Sequence, residues 1–374
     1  MLDTKTGRFD WSRDANARRV MRDAIEAGAE QVILFVNSPP VSMTINGHGR
    51  CTTTPDPENN KTTNLAPERY ADFAAYLGEI TEHFLRVDKL PVVAVSPINE
   101  PGHPWQKNKQ EGCYFSPRQT VALLKKIVAE FKRRDLPVRI EPTESESWKS
   151  GLAYIQAINR DPALRAALTD YCVHSYASKA PAKQQLREWF DKNCPGARLH
   201  MSEWCEMQLK GDANDMNNVM PLARTIIEDL TVGRVPTWQY WKGAGPFKVH
   251  DALIYYDTKT RAISPTKLYW VLGQFSRYMP KGSTVLASQS TDNDAPAMSA
   301  RLPDGRVAVV CANLSNAEKS LSIRFPKNET WRPRLRALTD AKHDNAVSAD
   351  AAADSGDTTL PAKSVVTIIF AKQQ

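Results

Sequence analysis

The chain has 374 residues, 41% of them hydrophobic, enough for a large core and two domains. Its 49 Lys and Arg against 42 Asp and Glu give a formal charge of +7, but the cations are scattered and the longest cluster, Lys132-Arg133-Arg134, ends a helical pattern. This excludes the basic stripe with interleaved aromatics of a nucleic-acid binder, and no run approaches the roughly 18 apolar residues of a membrane-spanning helix.

The opening MLDTKTGRFDWSRDANARR lacks the apolar segment of a signal peptide, so the sequence as written predicts a cytoplasmic protein, or a secreted one if the N-terminus is incomplete. Apolar positions space helically over 14–28 and stop at Gly28, after which QVILFVN is a short unbroken apolar run. The alternation repeats as helix 67–87 and strand 92–99, helix 117–134 and strand 138–142, then helix 151–168 and strand 170–176. Helix 183–192 leads to RLHMSEW at 198–204, helix 216–232 leads to PTWQYW at 236–241, and a last helix spans 265–279. Unbroken apolar strands alternating with helices predict a parallel sheet covered on its outer face.

No GxGxxG follows any of these strands, which argues against a dinucleotide-binding doubly wound sheet. The strands instead share polar or aromatic residues at their C-terminal ends: Asn37, Asn99-Glu100, Glu144, His174-Tyr176, Glu203 and Gln239-Trp241. In a (β/α)8 TIM barrel all such ends open into one mouth, and a barrel is the fold expected for residues 1–281. Six strands precede residue 282 where a barrel has eight, so the first two βα units are expected to be lacking. From 282 to 374 short strands (STVLAS, AMSARL, RVAVVCANL, SLSIRF, PRLRALT, SVVTIIFA) predict a C-terminal antiparallel β-sandwich domain. The Ala/Asp/Ser-rich stretch 343–358 reads as a mobile loop.

The cysteines form no CxxC pair and no Cys/His cluster at zinc spacing, so no metal site is expected. Cys172 and Cys311 read as buried thiols, and Cys51 and Cys113, both in polar loops, leave a disulfide open. Glu100 and Glu203 each follow a strand and would share the rim of the mouth, where a carboxylate pair suits glycoside hydrolysis: one gives a proton to the leaving oxygen, the other attacks the anomeric carbon. Asn99 can bond a sugar hydroxyl, Trp105, Trp148, Trp204, Trp238 and Trp241 offer faces for a pyranose ring, and His174 and Tyr176 can orient or tune the carboxylates. Taken singly, a strand-end Glu is more often a loop ion pair and a Trp more often core; the run of polar strand ends is what favours a site. In EPTESESW, Glu144 is expected to face the mouth, with Glu141 and Glu146 solvated.

FVNSPPVSMT (35–44), SPINEP (96–101), QEGC (110–113), VHSY (173–176), MSEW (201–204), WQYW (238–241) and YWVLGQFSRYMPKGS (269–283) occur in the order of glycoside hydrolase family 30, which the chain resembles from about residue 10 onward. The resemblance implies a retaining hydrolase of β-linked glycans with Glu100 as general acid/base and Glu203 as nucleophile. It also implies Asn99 on the sugar 2-hydroxyl, His174, Tyr176 and Trp241 lining that subsite, no cofactor, and a polysaccharide or oligosaccharide as partner. Asn37, Trp105, Glu144 and Trp204 complete the expected substrate contacts. NSPPVSMT and QEGC most resemble the endo-β-1,6-galactanases that cut arabinogalactan side chains; a β-1,6-glucanase, a β-xylan hydrolase and a catalytically inactive glycan-binding relative are the alternatives. The family's usual SPPWWMT reads SPPVSMT here, so Val41 and Ser42 replace an aromatic pair. Members are usually secreted.

Overall fold

A computed structural model describes residues 2, 7–50, 63–105, 110–207, 212–246, 251–326, 329–348 and 357–373. Its backbone contacts divide into two compact units, Met1–Ser202 and Glu203–Gln374. The expected division at 281/282 lies inside the second unit.

In the first unit, helices α1 (Ala15–Glu26), α2 (Tyr70–Arg86), α3 (Pro117–Arg133), α4 (Trp148–Arg160), α5 (Pro162–Ala167) and α6 (Ala180–Asn193) alternate with strands. These are β1 (Val32–Phe35), β2 (Val92–Ser96), β3 (Arg139–Ile140), β4 (Asp170–His174) and β5 (Arg198–Glu203), whose last residue opens the second unit. β1, β2 and β3 pair in parallel. Parallel bridges at Asn99–Glu144 and Ser145–Val173 carry the pairing beyond the strand ends to β4, which pairs with β5. Strand order thus follows chain order without the reversal that marks a doubly wound sheet, as a β/α barrel requires.

Strand β4 shows how sequence sets the two faces, because side chains alternate with period two. Tyr171 packs edge-on against Phe190 of α6, ring centroids 5.5 Å apart. Val173 lies where a Cβ on Gly151 of α4 would come within 2.5 Å, so that helix can sit close only because residue 151 has no side chain. Asp170, Cys172 and His174 take the opposite face. The single helix expected over 151–168 is two, because Pro162 has no N–H to continue α4. Asp161 instead caps α5, accepting from the N–H groups of Ala163 and Leu164, each at 3.1 Å.

The second unit holds α7 (Met216–Thr231), a small sheet of β6 (Ala244–Pro246), β7 (Ile254–Tyr256) and β8 (Ile263–Pro265), and α8 (Lys267–Ser276). PTWQYW, expected as a strand, forms only a bridge residue at Trp238. Pro236 has no N–H to give a ladder, and the rings of Trp238 and Tyr240 pack against Trp204.

The β domain comprises β9 (Thr284–Leu286), β10 (Ala297–Arg301), β11 (Val307–Asn313), β12 (Lys319–Ser322), β13 (Trp331–Thr339), β14 (Ala346–Ser348), β15 (Asp357–Leu360) and β16 (Ser364–Lys372). Six of these form an antiparallel sheet in the order β14-β13-β16-β11-β10-β9, and β12 pairs with β15 separately. Leu321 and Leu360 of that pair pack with Val309, Cys311, Val366, Ile368 and Phe370 to make the sandwich core. The loop expected over 343–358 is partly strand: β14 pairs with β13 and β15 with β12, partners that composition does not reveal, and 349–356 lie outside the described residues.

Cys172 and Cys311 are fully buried, as expected. Cys51 lies outside the described residues, and Cys113 is buried with its Sγ accepting from the Asn64 N–H at 3.3 Å. Among the described residues no helix is long and apolar enough to cross a membrane.

Candidate active site

Three residues beyond β2 the pairing with the next strand continues through Asn99, and the chain then turns sharply. Glu100 takes a left-handed backbone, φ 42°, a conformation uncommon for a residue with a side chain. Its N–H donates to the Glu144 carbonyl at 2.6 Å, and its own carbonyl accepts from the His103 N–H at 3.0 Å and from the Trp105 indole at 3.1 Å. These bonds fix the turn and hold the carboxyl group at a buried position.

The Glu100 carboxylate meets His174 at the end of β4, Oε1 to Nδ1 at 3.1 Å. The other ring nitrogen, Nε2, lies 3.3 Å from Oε2 of Glu144, and the hydroxyl of Ser202 on β5 donates to that same oxygen. His174 is wholly buried and Glu144 is 1% exposed, so four neighbouring strand ends are tied together out of solvent. The edge of Tyr176 meets the His174 ring at 5.8 Å, and Nδ1 of His103 stands 3.9 Å from Oε2 of Glu100.

Polar groups continue down the inner face of the strands. Cys172 points its thiol at Oε2 of Glu141, 3.7 Å away, and burial pushes that thiol well above its ordinary pKa. Glu141 is buried rather than solvated, and burial, with Glu144 nearby, raises its pKa despite an ion pair to Arg139 at 3.3 Å. Asp170 accepts from His200 and pairs with Arg198, both at 2.8 Å, and these partners hold its carboxyl below the usual range although burial opposes them. Glu141 with Glu144 and Cys172, and Glu141 with Asp170 and His200, place donor atoms within 4.8 Å of one another, close enough to converge on a cation. Their oxygens already face Arg139, Arg198, His174 and Ser202, and a thiol kept protonated is a poor ligand.

The remaining expected contacts divide. The buried amide oxygens of Asn37 and Asn99, beyond the ends of β1 and β2, accept no hydrogen bond within the described residues and can receive a donor from a ligand. Trp105 and Trp148 are not stacking platforms. Trp105 is 1% exposed and lies against Gly112, where an added Cβ would come within 2.2 Å of the ring, and Trp148 is fully buried with its indole donating to Ser175 at 2.7 Å. Glu144 also departs from expectation, because its carboxylate is occupied by His174 and Ser202 instead of facing a ligand. Glu146, expected to be solvated, keeps one buried carboxylate oxygen.

In the second unit Glu203 closes β5 and is buried. Trp204, also buried, packs its ring against Trp238 and Tyr240 at 6.3 and 6.5 Å. Its carbonyl accepts from the Trp241 N–H at 2.9 Å, which leaves Trp241 half-buried, and the peptide between Trp241 and Lys242 is cis. The Trp238 indole donates to Asp229 at 2.9 Å, so it too is a packed side chain.

Sequence reasoning missed Ser202, His103 and the buried state of Glu141. The signal for Ser202 was present: in RLHMSE the period-two alternation puts it on the face of His200, opposite Leu199 and Met201.

Two family models match the chain: O-Glycosyl hydrolase family 30 over residues 2–167 and the Glycosyl hydrolase family 30 beta sandwich domain over 282–368. An endo-beta-1,6-galactanase of Hypocrea rufa is 25% identical over 84% of this chain, which spans 62% of that protein's length. Among solved structures, a conserved exported protein from Bacteroides fragilis superposes with a TM-score of 0.80 at 21% identity, covering 97% of this chain and 81% of that one. A GH30 endoxylanase from Clostridium papyrosolvens gives 0.75 at 19% identity, with 98% and 85% covered. Together with barrel strands that end in Glu100 and Glu203 and the sandwich that follows them, these likenesses make the chain a member of glycoside hydrolase family 30.

Proposed function

We propose that the chain is a retaining glycoside hydrolase acting on a β-linked glycan, most specifically an endo-β-1,6-galactanase. Residues 1–281 would carry the catalysis and 282–374 the accessory sandwich. In the first step Glu203 attacks the anomeric carbon while Glu100 protonates the departing sugar oxygen; in the second Glu100 takes a proton from water, which releases the sugar from Glu203. The observation that carries this reading is Glu100 itself: a buried carboxyl on a left-handed backbone, fixed by three backbone-directed hydrogen bonds and facing a buried histidine. A position held in a sparsely populated conformation by its surroundings is characteristic of functional sites. The open amide oxygens of Asn37 and Asn99 suit sugar hydroxyls, and half-buried Tyr176 and Trp241 suit a subsite wall.

The galactan preference draws support from the Hypocrea rufa relative, 25% identical over 84% of the chain. Release of reducing ends from a panel of β-1,6-galactan, β-1,6-glucan and β-xylan should be greatest on the galactan. Glu203→Gln and Glu100→Gln should each lower turnover by about a thousandfold or more. Full activity in either variant would sink the residue assignment, and glycan binding without product release from the unaltered chain would favour a non-catalytic protein.

A further inference from the structure

His174 is confronted by carboxylates on both sides, and that restricts where protons can be. A neutral imidazole has one N–H and one bare nitrogen, so it can donate to only one of Glu100 and Glu144. For both contacts, at 3.1 and 3.3 Å, to be hydrogen bonds, the three groups must hold at least two protons among them. Either the ring carries both, between two carboxylates, or one carboxylic acid donates into the bare nitrogen. The proton that Glu100 would give to a leaving group therefore sits in a hydrogen-bonded set of three groups.

We propose that Glu144 is a positioning residue that acts on Glu100 through His174, its negative charge fixing how far up the pH scale Glu100 keeps its proton. The Ser202 hydroxyl acts in the opposite sense, because the hydrogen it donates to Oε2 of Glu144 partly offsets that charge at the ring. Glu144 is 1% exposed and its Oε2 is shared between His174 and Ser202, so its carboxylate acts on Glu100 through the ring. The other titratable groups facing the set are His103 on the turn after β2, Glu141 beyond β3, Cys172 on β4 and Tyr176 after it, and Glu203 follows Ser202 in β5. Burial raises the pKa of Glu141 and of Cys172, and Glu144 is the carboxyl group in contact with Nε2 of the ring, at 3.3 Å.

This inference rests on Glu100 being the acid/base, and the experiment separates the two. With β-1,6-galactan as probe, kcat/KM is followed against pH for the full-length chain, E144Q, S202A and E100Q. Loss of a neighbouring negative charge lowers the proton affinity of the Glu100–His174 pair, so the basic limb of E144Q should move down by about one pH unit. S202A should move the same limb up by a few tenths of a unit, a reversal that general loosening of the site would not produce. An E144Q limb that stays in place or rises overturns the proposal; should E144Q not fold, an S202A limb that is unmoved or falls does so instead. An E100Q variant with full activity and an intact basic limb would overturn the acid/base reading itself.

Discussion

Strands β4 and β11 are both buried along their whole length, yet they are built on opposite chemistry. In β11, VAVVCAN, Val309 and Cys311 meet the sandwich core, while Ala308 on the other face packs in the cluster with Tyr278 beyond α8. In β4, DYCVH, only Tyr171 and Val173 bury apolar surface, and the alternate positions carry a carboxylate, a thiol and an imidazole. The first strand is stabilised by area removed from water, roughly 25 cal/mol per Å². The second tolerates its polar face only because each group has a partner: Asp170 has His200 and Arg198, Cys172 has Glu141, and His174 has Glu100 and Glu144. Equal burial therefore conceals unequal tolerance: β4 needs side-chain partners at every second position, whereas β11 needs them only at its end, where Asn313 donates to the Ala317, Leu360 and Pro361 carbonyls.

Substitutions can break this contrast. The largest effect is expected from Cys311→Asp, which puts into β11 the residue type that β4 carries at position 170, but with no cation to meet it. The loss should exceed about 4 kcal/mol and abolish cooperative unfolding of the β domain, read by its thermal transition. Asp170→Asn should be next, at about 3 kcal/mol, because it leaves buried His200 and the Arg198 guanidinium without their anion and takes from Arg139 one of its two carboxylate partners. The shift of the urea midpoint measures it.

The same variant should also change the response to acid. In the folded chain the Asp170 carboxyl sits below its ordinary pKa, so its contribution is fully present above about pH 4 and is lost as pH falls through the folded value. Asp170→Asn should therefore flatten the acid limb of the stability curve. A smaller effect, about 1–3 kcal/mol, is expected for Gly112→Ala. Its added Cβ would meet the Trp105 ring at 2.2 Å, and because the Trp105 indole holds the Glu100 carbonyl, activity should fall more than the thermal midpoint suggests. An unchanged kcat in that variant would show that the turn does not depend on Trp105.

Much of this architecture was legible in the sequence because it rests on periodicity. Apolar runs such as VVAVS and RVAVVCAN and the helical spacing of 67–87 and 117–134 identify elements close to those observed. The polar strand ends were legible too, as residues out of place in a buried run. What periodicity cannot supply is the partner of a side chain. Glu144 looked like a ligand contact and proves to be engaged by His174 and Ser202; Trp105 and Trp148 looked like platforms and prove to be packed. Strands β14 and β15 escaped notice because their order comes from pairing with β13 and β12 rather than from their own composition. The helix break at Asp161-Pro162 was written in a local signal, a capping residue followed by proline, which the longer helical pattern overshadowed.

The left-handed backbone of Glu100 sets folding and chemistry against each other at a single residue. Glycine is the residue that the turn would prefer, since it reaches φ 42° without strain. A selection for thermal resistance alone would thus be drawn toward discarding the acid, and a chain hardened by such a search would keep its shape while losing its proposed trade. Under the proposed mechanism, a turn with glycine at this place would keep the barrel's shape and lack its proton donor.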